Sequence, residues 1–238
     1  MFHANAVLAI EDPLTYLSRK SIQEFGKGRV IYSPEHPCDR LFLVVLGRVK
    51  VTSNSHDGTE TVGRIVCPEG LFGEAVMVGG VRNEIALALD TATVMSWTRD
   101  EVEQQIGREP RLGLALSQYL VRQCLALQER IESMAVQKTP ERVMVALVQM
   151  AAMLGKPMSD GVTRIGSLTH QTIAEYVGTS REIVTFQMNR LRRLGLIRYS
   201  RRHIDVYTQA IEQALKGQNA AVRRAETTSV FHAGGQSG

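Results

Sequence analysis

Between Arg181 and Arg202 the sequence places seven arginines and a single acid, Glu182. A guanidinium carries several N–H donors in a planar fork that matches phosphate oxygens, so this stretch has the chemistry to hold a polyanion. Whether it is a binding face or only a solvated one depends on the elements that carry it. Thr169 is placed to cap a short helix, whose apolar face is Ile173, Ala174 and Val177 and whose end is Gly178. Thr179 is read as the start of a second helix, with Glu182 three residues later at the capping-box spacing. Val184, Met188 and Leu191 recur at helical intervals and form its buried side. Two helices joined by a tight Gly turn make a helix-turn-helix. Two apolar runs, Leu196-Ile197 and Ile204-Asp205-Val206-Tyr207, flank the basic turn Ser200-Arg201-Arg202-His203 and read as a β-hairpin wing. A small Ala174, a Gly turn, a capped second helix and a basic hairpin are separate requirements for entering a DNA groove, and here they coincide.

Other chemistries find little support. The three cysteines, Cys38, Cys67 and Cys124, form no CxxC and no cluster spacing. An iron–sulfur cluster needs about four thiolates and is not expected. An odd, sparse cysteine count fits a reducing compartment, which points to the cytoplasm. The histidines are scattered, so no metal site is expected. Haem stays open, with His36, Cys67 or Cys124 as single candidate axial ligands. A metal enzyme on a β-roll needs His/Glu triads on adjacent strands, yet between Phe25 and Trp97 only His36 and His56 occur. No nucleophile motif appears either, so an enzyme is not expected. No apolar run approaches a membrane span. The first residues lack the basic segment of a secretion signal.

The chain has 238 residues, 44% of them hydrophobic, enough for one or two cored domains. Its net charge of +4 is divided unevenly. Residues 1–137 hold 14 Lys/Arg against 17 Asp/Glu, and residues 138–238 hold 14 against 7. An acidic front joined to a basic back suits a sensor or scaffold fused to a nucleic-acid binder. From Phe25 to Trp97 short β-type runs alternate with turn signals such as Gly47-Arg48, Asp57-Gly58 and Gly79-Gly80, the pattern of a sandwich, barrel or jelly roll. Residues 100–136 are helical in composition. Leu120, Cys124, Leu127, Ile131 and Met134 follow a 4-3-4-3 spacing, an a/d seam that serves a partner helix or the helix's own domain. With a DNA-binding unit behind it, the seam is read as a homodimer interface. Thr139 as N-cap and Pro140 at the first helical position open a further helix, with Val143, Leu147, Met150 and Leu154 as its apolar stripe. Gly155 to Gly166 reads as a loop with a short strand. The expected organisation is a β-roll over 1–107, a dimerisation helix over 108–137, a winged helix-turn-helix over 138–216 and a flexible tail over 217–238.

On these residues the chain resembles the catabolite activator/fumarate-nitrate regulator (CRP/FNR) superfamily. The resemblance rests on the order of parts and on Phe25-Gly26-Lys27-Gly28, the run from Leu41 to Val49, Leu71-Phe72-Gly73-Glu74, Thr179-Ser180-Arg181-Glu182 and Arg190-Leu191-Arg192-Arg193-Leu194-Gly195. It implies an α+β protein: an N-terminal β-roll of the cyclic nucleotide-binding type, a long dimerisation helix and a C-terminal winged helix. It also implies an effector cassette of Gly73, Glu74, Arg82 and Asn83, with Glu74 on a ribose hydroxyl, Arg82 on a cyclic phosphate, and Leu127 and Gln128 on the long helix meeting the base. Asn83 replaces the family's Ser, the Glu–Arg segment is about two residues shorter than in cAMP-binding members, and Leu127 cannot hydrogen-bond an adenine edge. An unpaired buried polar edge costs about 1–3 kcal/mol. A non-cAMP branch, with an unknown effector or none, is therefore expected.

The same resemblance makes the second helix the reading helix. Arg181 can chelate guanine O6 and N7, and Glu182 can accept from cytosine N4. Phe186 stands where many members carry an Arg, and it can only pack on a thymine methyl. Thr185 can reach a base edge. Thr169, His170, Gln171, Ser180, Arg201 and Arg202 are placed for phosphate oxygens, which position without specifying sequence. The expected protein is a homodimeric, sequence-specific regulator of double-stranded DNA with a roughly palindromic site, touching RNA polymerase if it activates. The alternative is a ligand-binding module whose winged helix mediates protein contacts.

Overall fold

The computed structural model describes residues 10–36, 39–54, 60–79, 84–158, 161–200 and 202–217. The chain divides into two compact units, Met1–Ala135 and Val136–Gly238. The first contains strands β1 (Ile22–Phe25), β2 (Val30–Tyr32), β3 (Arg40–Leu46), β4 (Val49–Asn54), β5 (Glu60–Val66), β6 (Leu71–Phe72), β7 (Glu84–Ala88) and β8 (Ala92–Thr98). They pair antiparallel into two four-stranded sheets, β1-β8-β3-β6 and β2-β7-β4-β5.

The continuous apolar run of β3 has a structural reason over Leu41–Val44, where both faces of the strand are covered, while Val45 and Leu46 are exposed. Phe42 and Val44 join Tyr32, Val49, Val51 and Phe72 in one core cluster. Phe42 and Phe72 stack there with ring centroids 5.0 Å apart. Leu41 faces the other way, into a cluster with Leu17, Leu71, Trp97, Val102 and Leu112. Gly47 is required at the β3–β4 turn. Its φ is +78°, and a Cβ there would lie 2.3 Å from the Thr91 carbonyl oxygen.

Two helices follow, α1 (Arg99–Arg108) and α2 (Arg111–Val136). Thr98 and Glu101 close a capping box at the start of α1, with Thr98 N donating to Glu101 Oε2 at 2.9 Å. Pro110 separates the helices, as expected of a residue that disfavours helical geometry just before it. Leu112 and Ala115 of α2 are buried, while further along the helix most side chains are not.

The second unit contains α3 (Thr139–Leu154), β9 (Lys156–Pro157), β10 (Thr163–Gly166), α4 (His170–Val177), α5 (Arg181–Arg193), β11 (Ile197–Tyr199) and β12 (His203–Val206). Its sheet runs β11-β12-β10-β9. Val143, Leu147, Met150, Ile165, Ile173, Val184, Met188 and Ile197 are all at most 1% exposed and form its core. A last helix, α6, covers 208–217 and buries Ile211.

The architecture is the α+β arrangement expected: a β-roll, long helices and a winged helix-turn-helix. Several local expectations change. β1, β6 and α6 are additional, and the segment before Gly166 holds two strands rather than one. The N-cap of α3 is Lys138, not Thr139, because Lys138 N donates to Glu141 Oε2 at 3.1 Å and fixes the frame one residue earlier. Arg82, Asn83, Arg201, His56, Cys38 and residues 218–238 of the tail lie outside the described residues.

Candidate nucleic-acid interface and effector cassette

Thr169 caps α4 through its hydroxyl oxygen, which accepts from Thr172 N at 3.0 Å. Gly178 ends α4 in the left-handed region at φ 72°. Thr179 does not open α5. Its N–H donates back to Ala174 O at 3.0 Å, so it belongs to the end of α4. Ser180 is the N-cap, accepting from Ile183 N at 3.3 Å. Glu182 sits in the first turn of α5, where a negative charge is favoured. A bond to its own backbone N–H, and a second from the Ser180 hydroxyl, hold its carboxyl below the usual range.

The buried face of α5 is Val184, Gln187, Met188 and Leu191. The opposite face carries Arg181, Glu182, Phe186, Arg190 and Arg193, all exposed, with Thr185 and Asn189 half-buried beside them. From Glu182 onward, successive members stand three or four residues apart and line one side of the helix, with Arg181 beside them at its first turn. Phe186 is 60% exposed, an aromatic ring left in solvent among arginines. Arg190 and Arg193 complete the row; the arginine count includes them but gives them no place.

Thr185 and His170 are held differently from the expectation. The Thr185 hydroxyl donates to Arg181 O at 2.8 Å, and the same oxygen lies 2.9 Å from His170 Nδ1. With the hydroxyl proton committed to Arg181 O, His170 Nδ1 must be the donor. The pair therefore ties α4 to α5, and Thr185 is turned onto protein partners rather than outward. Burial, and then the charge of Arg181, lower the His170 pKa. Gln171 is exposed and donates to Glu175 Oε1 at 2.9 Å.

The wing is braced from both sides. Tyr199 of β11 donates its hydroxyl to Asn189 Oδ1 at 3.0 Å, meets the His170 ring edge-on, and has the Arg192 guanidinium 5.3 Å from its ring centre. Asp205 of β12 takes two bonds from Arg164 of β10, at 2.6 and 2.9 Å, and this holds its carboxyl below the usual range. Arg202 is exposed at the turn. The sequence reading missed Tyr199 and Asn189; an aromatic on the first wing strand was the available signal.

In the first unit, Gly73 at φ 79° turns the chain from β6 into a 3-10 turn, Glu74–Val78. Glu74 accepts from Arg64 Nη2 through both carboxylate oxygens, at 2.7 and 2.6 Å. Burial opposes the charge on Arg64, but Glu74 beside it outweighs this, and the guanidinium pKa is raised. Arg64, on β5, is the cationic partner that the sequence did not reveal. The Tyr119 hydroxyl of α2 accepts from Leu71 N at 3.0 Å and donates to Leu71 O at 2.9 Å. Burial raises its pKa. Arg130, also on α2, donates to Gly63 O and Val62 O at 2.7 and 2.8 Å. Leu127 and Gln128 are exposed and are not drawn to the cassette.

The expected seam is exposed along its length. Leu120, Leu127, Ile131 and Met134 are 44%, 51%, 65% and 38% exposed, and Cys124 is exposed with them. Leu114, Val121 and Leu125 are exposed as well, on a neighbouring side of α2. The seam therefore does not pack on its own unit. Among the candidate haem ligands, burial pushes the Cys67 thiol up to about 11, which keeps it protonated and a poor thiolate ligand. No group of three or more potential metal ligands is found among the described residues. No helix there is long and apolar enough to cross a membrane.

A β-roll with an effector cassette, joined to an arginine-faced winged helix, defines a DNA-binding transcription regulator. Residues 22–109 match the cyclic nucleotide-binding domain, and residues 141–208 match the Crp-like helix-turn-helix domain. The chain is 27% identical over 176 residues to a CRP-like cAMP-activated global transcriptional regulator of Mycobacterium tuberculosis, covering 74% of this chain and 79% of that one. It is 28% identical over 189 residues to the global nitrogen regulator of Synechococcus elongatus, covering 78% and 85%. A CRP/FNR-family transcriptional regulator from Thermus thermophilus superposes with a TM-score of 0.66 at 26% identity, over 82% of this chain and 98% of that one. FixK2 from Bradyrhizobium japonicum superposes with a TM-score of 0.70 at 20% identity, over 81% and 96%, and shares the fold. The chain belongs to the CRP/FNR superfamily of transcription regulators, and it is a regulator rather than an enzyme.

Proposed function

We propose that the protein is a homodimeric, sequence-specific transcription regulator that lays α5 of each protomer in the major groove of a roughly palindromic site. The observation that carries this reading is the row Glu182, Phe186, Arg190 and Arg193, with Arg181 at the first turn, exposed on a helix whose other face is buried. Arg181 chelates guanine, Glu182 accepts from cytosine N4, and Phe186 packs on a thymine methyl. Thr169, Gln171, Ser180, Arg201 and Arg202 serve the phosphates, and Arg190 and Arg193 add to that set, while His170 positions α4 against α5. The division of labour follows the chain: a sensor-type β-roll to 107, a pairing helix to 137, and a DNA-reading unit to 216.

Dimerisation is supported by the exposed strip along α2. A 26-residue helix with Leu120, Leu127 and Ile131 in water has an apolar face that a second copy can cover. Two reading helices about one DNA turn apart then ask for a palindrome. Activation would add RNA polymerase as a partner, and the site of action is the cytoplasm, where the DNA is. The test is selection of a site from random duplexes by the purified protein, followed by titration across salt. A two-fold symmetric consensus and an affinity that falls steeply with salt are expected. Retention of no common sequence, with salt-independent binding, would refute the reading and favour a winged helix that contacts protein.

A further inference from the structure

Glu74, the one acid of the cassette, is already engaged by a cation of the chain itself. Glu74, the acid that would hold a sugar hydroxyl, already accepts twice from Arg64, and the two side chains are only 16% and 25% exposed. A neutral hydroxyl has either to share that carboxylate with Arg64 or to displace it, and displacement exchanges a charge-assisted bond for an ordinary one.

We infer that Arg64 is the built-in occupant of this cassette and that the protein binds DNA with no cyclic nucleotide present. The inference rests on the regulator reading above and adds how that regulator is held. The Arg64–Glu74 pair lies within a closed circuit of the chain's own groups. Arg130 of α2 grips the carbonyls of Val62 and Gly63, the two residues before Arg64 on β5. Tyr119 of α2 grips both backbone groups of Leu71, three residues before Glu74. The ion pair joins the two gripped segments to each other. α2 is thereby fastened to β5 and β6 at once, and its exposed seam is presented from a helix fixed on the roll. A ligand shifts an equilibrium only by binding its two states differently. Here an internal ion pair supplies that differential contact, so the state that an effector would select is already selected. Gly73 makes the arrangement possible by turning the chain into the left-handed region immediately before Glu74.

The experiment uses the full-length protein stripped of small molecules by unfolding and refolding, with mass spectrometry to check that none remains. DNA affinity on the selected site is measured with and without millimolar cAMP for wild type, Arg64→Met, Glu74→Gln and the swapped pair R64E/E74R. Hydrogen exchange along α2 is followed in parallel. Stripped wild type should bind with a Kd that cAMP changes by less than about twofold. Arg64→Met and Glu74→Gln should each weaken binding by about tenfold or more and speed exchange in α2, with partial recovery in the swapped pair. If Arg64→Met does not fold, Glu74→Gln, which keeps a side chain of the same size, carries the same test. Stripped wild type that binds only after cAMP is added overturns the inference. So do single variants that match wild type in both affinity and exchange. A wild type that binds no duplex under any condition overturns the regulator reading instead.

Discussion

Arg181, Arg190 and Arg193 end in solvent on α5, whereas Arg64 ends on the carboxylate of Glu74. The first group lies on the outer side of a helix whose inner side is sealed by Val184, Met188 and Leu191, so its charge is available to a partner. The second is a half-buried pair whose two charges satisfy each other and hold two segments of the β-roll together. The same residue type is thus available to a partner where it is left open and gives internal support where it is closed. The difference lies in what each arginine meets across the fold, more than in the count of arginines.

The widest separation between the two regions comes from disrupting the proposed dimer. Leu120→Glu with Leu127→Glu places charges in the seam of both protomers, and each buried ion without a partner costs several kcal/mol. Sedimentation should show monomers, and affinity for the palindrome should collapse. A variant that stays dimeric would move the interface off this strip. Next in size is Arg181→Ala, expected to cost about 1–3 kcal/mol per half-site and to erase discrimination at one base pair, while thermal stability is kept. Unchanged discrimination in competition titrations would contradict its role. Arg202→Ala should act more gently, weakening all sequences alike and lowering the slope of log affinity against log salt by about one.

The smallest expected effect is a pH dependence of the second unit's stability. His170 has a lowered pKa in the folded protein, from burial and from Arg181. The unfolded chain therefore binds the proton more readily. The contribution of His170 to stability is complete above its ordinary pKa of about 6.5 and is lost as pH falls through the folded value. Melting temperatures should drop on acidification across that window, and His170→Gln should flatten the drop. A wild-type profile identical to that of the variant would remove His170 as the cause.

The DNA face was more legible in sequence than the cassette, for reasons that particular residues make plain. The helix-turn-helix is local: Thr169, Gly178 and the 3.6-residue spacing of Val184, Met188 and Leu191 act within one or two turns of each other. Even there the cap of α5 falls on Ser180 rather than Thr179. Both can cap, and only the bond from Thr179 N to Ala174 O decides between them. β1 escaped notice because its burial does not alternate, with Ile22 left 62% exposed. β6 has two residues and so no period at all. The Arg64–Glu74 pair joins residues ten apart across a strand end and a turn, a proximity that no spacing rule gives. The tie between His170 and Thr185 likewise depends on how two helices cross.

The account's central claim is that two copies of the α5 face read two symmetric half-sites, and one titration tests it most directly. The purified protein is titrated onto the selected duplex and onto the same duplex with one half-site scrambled, at a single physiological salt concentration. Two reading helices predict that scrambling weakens binding by at least about a hundredfold, since several base pairs are lost and each mismatch costs about 1–3 kcal/mol. Equal affinity for the two duplexes would contradict the claim.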